Sequence, residues 1–173
     1  MQAHNNMYET NPSAPTPPAP IAIRRESPLS PDLSLLMARH TAAMHADTPP
    51  ESIHMLDATA LAVPGIDFFV MREPDGRPLG MGALKRLSDD HAEIKSMHIL
   101  AETRGRGLAQ AMLAHLLEAA RRAGFTRLSL ETGSQPAFAP ARALYARAGF
   151  QQCPPFEGYC EDPSSVFMTL RLA

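Results

Sequence analysis

The 173-residue sequence predicts an α/β domain of the α+β kind, with a mixed and mostly antiparallel sheet flanked by helices. Three observations carry this expectation. Apolar runs separated by turn residues recur between residues 66 and 100, as consecutive antiparallel strands do. A long helical pattern then leads to another apolar run, FTRLSLET (125–132), and such a crossover makes the two flanking strands parallel. Between strand and helix stand Gly105 and Gly107, at the mouth of the helix.

The elements follow in order. Residues 1–19, MQAHNNMYETNPSAPTPPA, are polar and then proline-rich. Proline fixes φ and removes a donor, so a disordered leader is expected ahead of one domain over 20–173. IAIRRES (21–27) reads as a short strand, ended by Pro28 and Pro31. Asp32 or Ser30 is expected to cap a helix carrying Leu33, Leu36, Met37 and His40 towards His45. After Thr48-Pro-Pro, ESIHMLDATALAV suits a shorter second helix or a pair of turns.

IDFFVMRE (66–73) reads as a core strand, PDGR as a tight turn, and RPLGMGALKRL (77–87) as the returning strand. There Gly80 and Gly82 signal a bulge or a close approach. Ser88-Asp-Asp turns the chain into HAEIKSMHIL (91–100), the central strand. Simple alternation puts Glu93, Lys95, Met97 and Ile99 on one face, with Ile94, Ser96 and His98 on the other. Leu108, Met112 and Leu116, joined by Ala109, Leu113, Leu117 and Ala120, make the broad apolar face of a helix ending at Ala123. Gly124 is its C′ glycine. A second helix, Ala137 to Ala148, carries Ala141, Leu144, Tyr145 and Ala148 on one side and closes at Gly149. PPFEGYCEDP (154–163) is a loop, and SSVFMTLRL (164–172) the final strand.

Sixteen basic and eighteen acidic residues give a formal charge of −2, which does not suit a nucleic-acid partner. The two cysteines, Cys153 and Cys160, are too few for a disulfide framework and lack zinc spacing, so reduced thiols are expected. No apolar run reaches membrane-spanning length and no charged-then-apolar leader opens the chain, so a cytoplasmic protein is expected.

Arg104, Gly105, Arg106 and Gly107 at a helix start make an anion cradle. The orphan N–H groups and the positive dipole end face the ligand, and glycine lets the backbone come close. The string is not a Walker loop, which needs Gly-Lys-Ser/Thr. Nor is it a Rossmann fingerprint, since Gln110 stands where a third glycine or alanine is wanted. It resembles the acyl-CoA loop of the GNAT superfamily, Gln/Arg-x-x-Gly-x-Gly/Ala, through Arg104, Gly107 and Ala109. ARALYARAGF (141–150) is similar to the segment in which that family carries a tyrosine shortly before Gly-Phe.

The resemblance implies the GNAT fold: six to seven strands, four helices, and a splayed parallel pair that forms the coenzyme A cleft. It implies acetyl-CoA as co-substrate; no metal is expected, because His40, His45 and His54 are not at helical metal-ligand spacing. The pyrophosphate would lie on N–H groups spanning Arg104, Gly105, Arg106, Gly107, Leu108 and Ala109. The pantetheine arm would run along Met97, His98 and Ile99. Tyr145 would protonate the departing sulfur. Glu93 occupies the strand position of a general base in histone-type members, while His98, Glu131 and relayed water remain alternatives. Phe138 stands where many members carry an asparagine that contacts the cofactor arm. His40, His45, Glu51, Ser52 and His54 lie in the region that walls the acceptor site. The expected activity is direct transfer of an acetyl group to a primary amine of a small molecule. A protein terminus or lysine as acceptor, and a catalytically weak acyl-CoA sensor, are the alternatives. Dimers are common in the family.

Overall fold

The computed structural model describes residues 20–173, and the expected leader (1–19) lies outside the described residues. The sheet has seven strands: β1 (Ala22–Arg25), β2 (Ile66–Arg72), β3 (Pro78–Arg86), β4 (His91–Ile99), β5 (Arg127–Gly133), β6 (Gln151–Gln152) and β7 (Ser165–Arg171). Their spatial order is β1-β2-β3-β4-β5-β7-β6, and every pairing is antiparallel except β4 with β5. The helices are α1 (Ser34–Asp47), α2 (Ala58–Leu61), α3 (Leu108–Arg122) and α4 (Ala139–Arg147). This is the α+β architecture expected from the sequence. The two-residue β6 brings the sheet to seven strands, within the six to seven that the resemblance implies.

Both faces of the sheet are covered, which is why β2 reads as an almost unbroken apolar run. Phe69 and Met71 join the core beneath α3 and α4, while Phe68 and Val70 join the one beneath α1 and α2. Helix α3 buries Leu108, Met112, Leu113, Leu116 and Ala120. Gly82 of β3 lets it approach, since a Cβ there would stand 3.0 Å from Leu116 Cδ1. The helix stops as expected: Gly124 takes φ +86° and the Phe125 N–H reaches back to the Ala120 carbonyl.

The start of α1 differs from expectation. Neither Ser30 nor Asp32 caps it; a 3-10 turn, Pro31–Leu33, leads in, and no side chain accepts at its first turn. Asp32 and Glu26 instead accept from the Arg72 guanidinium, at 2.6 Å each from Nη1 and Nη2. That ion-pair cluster ties the α1 entry to β2. The second helical region resolves into a 3-10 turn (Pro50–Ser52) and the single turn of α2, capped by Asp57 accepting from the Ala60 N–H at 2.7 Å.

Two irregularities of β4 shape the molecule. Its pairing with β5 runs for four residue pairs, from His91 with Arg127 to Ile94 with Leu130, and ends there. Beyond it, Met81 of β3 pairs with His98 and Ala83 with Lys95, so Gly82 faces both Ser96 and Met97. This is a β-bulge, and Ser96 takes φ +54° to make it. The extra residue reverses the alternation. Met97 and Ile99 pack with Ile94 on the α3 side, whereas His98 packs against His40 of α1. The expected single face of Glu93, Lys95, Met97 and Ile99 is therefore corrected: the bulge divides it.

Candidate active site

Where β4 and β5 part, two cavities meet. The larger, about 570 Å³, runs from Arg104, Gly105, Gly107, Leu108 and Ala109 past Met97, His98 and Ile99 to Phe138 and Tyr145. The smaller, about 120 Å³, lies under α1 and the α1–α2 connection, lined by His40, Ser52, His54, Lys95, Ser96, Glu131 and Tyr145 among others. His40, Met44, Met97, Phe138, Ala141 and Tyr145 border both. Of the acceptor-side residues considered from sequence, His40, Ser52 and His54 line a cavity, while His45 and Glu51 do not.

The cradle is built by backbone conformation. Gly105 (φ +81°) and Gly107 (φ +75°) are both left-handed, and Gly107 opens α3 with no side chain accepting from its first turn. L-residues resist such φ values, so glycine is required at these two places. Nothing lies within 4 Å of where their Cβ atoms would be, which leaves room for a ligand against the main chain. Arg104 lines the cavity. Arg106 turns away: its guanidinium donates to Glu73 Oε1 at 2.7 Å. The glycines and N–H groups fit a pyrophosphate, and the trough beside the unpaired half of β4 suits an extended pantetheine arm.

Tyr145 stands where the cavities join. Helix α4 ends two residues after it, at Arg147, with Gly149 at φ +99° and the Phe150 N–H donating to the Tyr145 carbonyl. The ring meets Phe150 edge-on at 5.8 Å, and the hydroxyl points at Met97 Sδ, 3.7 Å away. Burial, reinforced by the Glu131 carboxylate, pushes its pKa up to about 12, so the phenol holds its proton at neutral pH. Phe138 borders the same junction. Its ring packs so closely on Gly133 that a Cβ there would overlap it. Arg142 fixes the loop between β5 and α4 by donating to the carbonyls of Gly133 (2.6 Å) and Gln135 (3.1 Å).

Glu93 does not reach either cavity. Its carboxylate accepts from the Tyr159 hydroxyl at 2.5 Å and pairs with Lys95 Nζ at 3.3 Å, with both charged side chains buried. Lys95 Nζ also donates to Tyr159 (2.8 Å) and to the His54 carbonyl (3.0 Å), so its three N–H groups face three acceptors. The carboxylate that does line the smaller cavity is Glu131, on β5 just past the last parallel pair. Burial raises its pKa, against the lowering influence of Ser165, His54 and Lys95.

His40 and His98 meet edge-on at 5.2 Å beside the larger cavity. Burial lowers both to about 4. A further contribution to His40 comes from His98 and Lys95, and to His98 from Arg104 and Arg39, so both rings are neutral at pH 7. The Nδ1 of His40 and the hydroxyl of Ser96 are buried without a partner, and both belong to residues lining the smaller cavity. Neither Cys153 nor Cys160 borders a cavity. Among the described residues, no cluster of three His, Cys, Asp or Glu is placed to hold a metal ion, and no helix is long and apolar enough to cross a membrane.

Comparison with known proteins agrees with this geometry. Residues 34–150 match the model of the Acetyltransferase (GNAT) family. The chain is 48% identical over 137 residues to the uncharacterized N-acetyltransferase YsnE of Bacillus subtilis, covering 79% of this chain and 90% of that one. The crystal structure of a proposed acyl-CoA N-acyltransferase from Klebsiella pneumoniae superposes with a TM-score of 0.73 at 29% identity, over 88% of this chain and 98% of that one. A GNAT family acetyltransferase from Elizabethkingia anophelis, solved with acetyl-CoA bound, shares the fold at a TM-score of 0.61 and 16% identity, covering 88% and 98%. The chain belongs to the GNAT acetyltransferase family and is an acyltransferase.

Proposed function

We propose that this enzyme transfers an acetyl group from acetyl-CoA to a primary amine of a small molecule, directly and within a ternary complex. The observation that carries the reading is the junction at Tyr145 between a long cavity starting at the glycine cradle and a small, separate one. The first suits the extended co-substrate. The second, at about 120 Å³, suits a small acceptor better than a folded polypeptide. Thermodynamically, the cradle supplies binding through backbone N–H groups and the helix dipole.

In this reading Arg104 to Ala109 hold the pyrophosphate, and the main chain at Met97 and Ile99 holds the pantetheine arm. A strand N–H there faces the thioester oxygen, where negative charge develops. Tyr145, protonated at neutral pH, donates to the leaving sulfur. No cysteine borders the junction, which favours direct attack over an acyl-enzyme.

A thermal-shift series with acetyl-CoA, longer acyl-CoAs and ATP tests the first half, because a ligand that binds the native state raises Tm by mass action. Thiol release across a panel of amines tests the second. A rise with acetyl-CoA but not ATP, followed by thiol release with one amine class, is expected. No rise with any CoA would overturn the reading.

A further inference from the structure

We propose that Glu131 receives the acceptor's ammonium group and takes its proton, and that the smaller cavity selects amines carrying no carboxylate beside the amine. The inference rests on the reading above and names its acceptor class.

The argument is one of charge. Among the described residues lining the smaller cavity, the carboxylate is Glu131 and the ammonium is Lys95. Lys95 is already matched. Glu93 neutralises it at 3.3 Å, and Tyr159 and the His54 carbonyl occupy its other N–H groups. Glu131 forms no ion pair of its own: Lys95 and His54 act on it only at longer range. Its charge is left for a ligand to balance, and a protonated amine does so directly. An amino acid would bring a second carboxylate into the same space, where it would meet Glu131 and no unmatched cation. His40 does not supply one, since it is held neutral at pH 7, and the His54 ring stands edge-on to Tyr159 at 5.1 Å.

The chemistry balances. Glu131 takes one proton from the ammonium and frees the nitrogen lone pair, which forms the C–N bond to the thioester carbon. The C–S bond breaks, and the sulfur takes the Tyr145 proton. The second nitrogen proton then replaces the one Tyr145 gave up. One proton leaves with Glu131 for solvent, and the net products are amide and free thiol.

Burial already raises Glu131 above the ordinary carboxylate range, which makes it a better proton acceptor at neutral pH. The groups facing it are Lys95 and Glu93 of β4, His54 before α2, Tyr145 of α4, Tyr159 of the 154–163 loop and Ser165 of β7.

The test compares matched acceptors on the native enzyme with acetyl-CoA: agmatine against arginine, putrescine against ornithine, phenethylamine against phenylalanine. Each amine is expected to exceed its amino acid by about tenfold or more in kcat/KM, the effect of one unpaired buried charge. Glu131→Gln is expected to lose about 100-fold in kcat/KM while keeping its thermal shift with acetyl-CoA. Its acidic limb should move up to the pKa of the free amine, a change that a merely structural role would not produce. Glu131→Asp should recover part of the rate. Amino acids outpacing their amines, or an unchanged pH profile in Glu131→Gln, would overturn this inference and leave the acetyltransferase reading standing. No turnover with any member of either set would overturn both.

Discussion

The Tyr159 hydroxyl donates to Glu93 Oε1 at 2.5 Å, joining two residues 66 positions apart and completing the buried Glu93–Lys95 cluster. The aromatic neighbours of Tyr159, which are His54, Phe156 and Phe167, hold its ring in place. Burial and the adjacent carboxylate push the phenol's pKa upward, so it remains the donor throughout the physiological range. The carboxylate that the central strand offers is thus held by Tyr159 and Lys95, outside both cavities.

Removing one member of that pair should be costly. Glu93→Gln leaves Lys95 buried without its counter-charge, and a loss of about 3–5 kcal/mol is expected. Glu93→Gln with Lys95→Met should recover much of it, because the orphaned charge is gone. Urea denaturation of both single variants and the double variant measures the coupling. A cycle near zero would mean that water reaches the pair.

Tyr145→Phe removes one hydroxyl at the cavity junction and leaves the ring packed on Phe150. Turnover should fall by about 100-fold or more, with the affinity for acetyl-CoA unchanged. Thiol-release kinetics and calorimetry measure the two separately. Equal loss of both would show that the tyrosine serves binding rather than proton transfer.

Gly107 separates backbone strain from ligand exclusion. Gly107→Ala meets no neighbour, so only its φ of +75° is penalised, at about 1–2 kcal/mol of stability. Gly107→Glu adds a negative charge and bulk where the pyrophosphate is expected, and acetyl-CoA binding should be lost. If the affinity of Gly107→Glu matched that of the native protein, the cradle would lie elsewhere.

Part of the pH dependence of stability follows from His40, beside an equally depressed His98. The pKa of His40 falls from 6.5 to about 4 on folding, chiefly through burial. The folded state therefore binds fewer protons than the unfolded chain between those values. Stability is fully present above about 6.5 and declines as the pH falls through about 4, by roughly 3 kcal/mol for this residue. Melting temperatures recorded from pH 7.5 to 4 should drop less steeply in His40→Gln. Parallel curves would assign the acid sensitivity to other groups.

Much of the architecture was legible in the sequence, because it is written in local periodicity. Helix α3, its glycine mouth, its stop at Gly124 and the crossover to β5 all follow from spacing. The bulge at Ser96 was only half legible: serine marks no left-handed position, although the step of three from Ile94 to Met97 breaks the period-2 alternation there. Its cost was the facing of Met97, Ile99 and His98. Glu93 is a candidate base only by resemblance, through its position on the strand, and its partner Tyr159 comes from a distant loop that no local pattern ties to it. Arg106 looked like a cradle residue for the same reason, until Glu73 of the β2–β3 turn is seen to hold it. Glu131 was a lesser candidate because its setting depends on where β4 and β5 stop pairing, which no local pattern records.

That stopping point has a mechanical meaning. Four backbone pairs stitch β1–β4 to the β5–β7–β6 half of the sheet, and beyond them the seam opens onto the two cavities. Whatever fills it acts as mortar between two blocks of masonry. Amide exchange in the C-terminal half should then slow on addition of acetyl-CoA, including at strands that never touch it. Under the proposed function, resistance to proteolysis should therefore rise with the supply of acetyl-CoA, on top of the core that α3 shares with both halves.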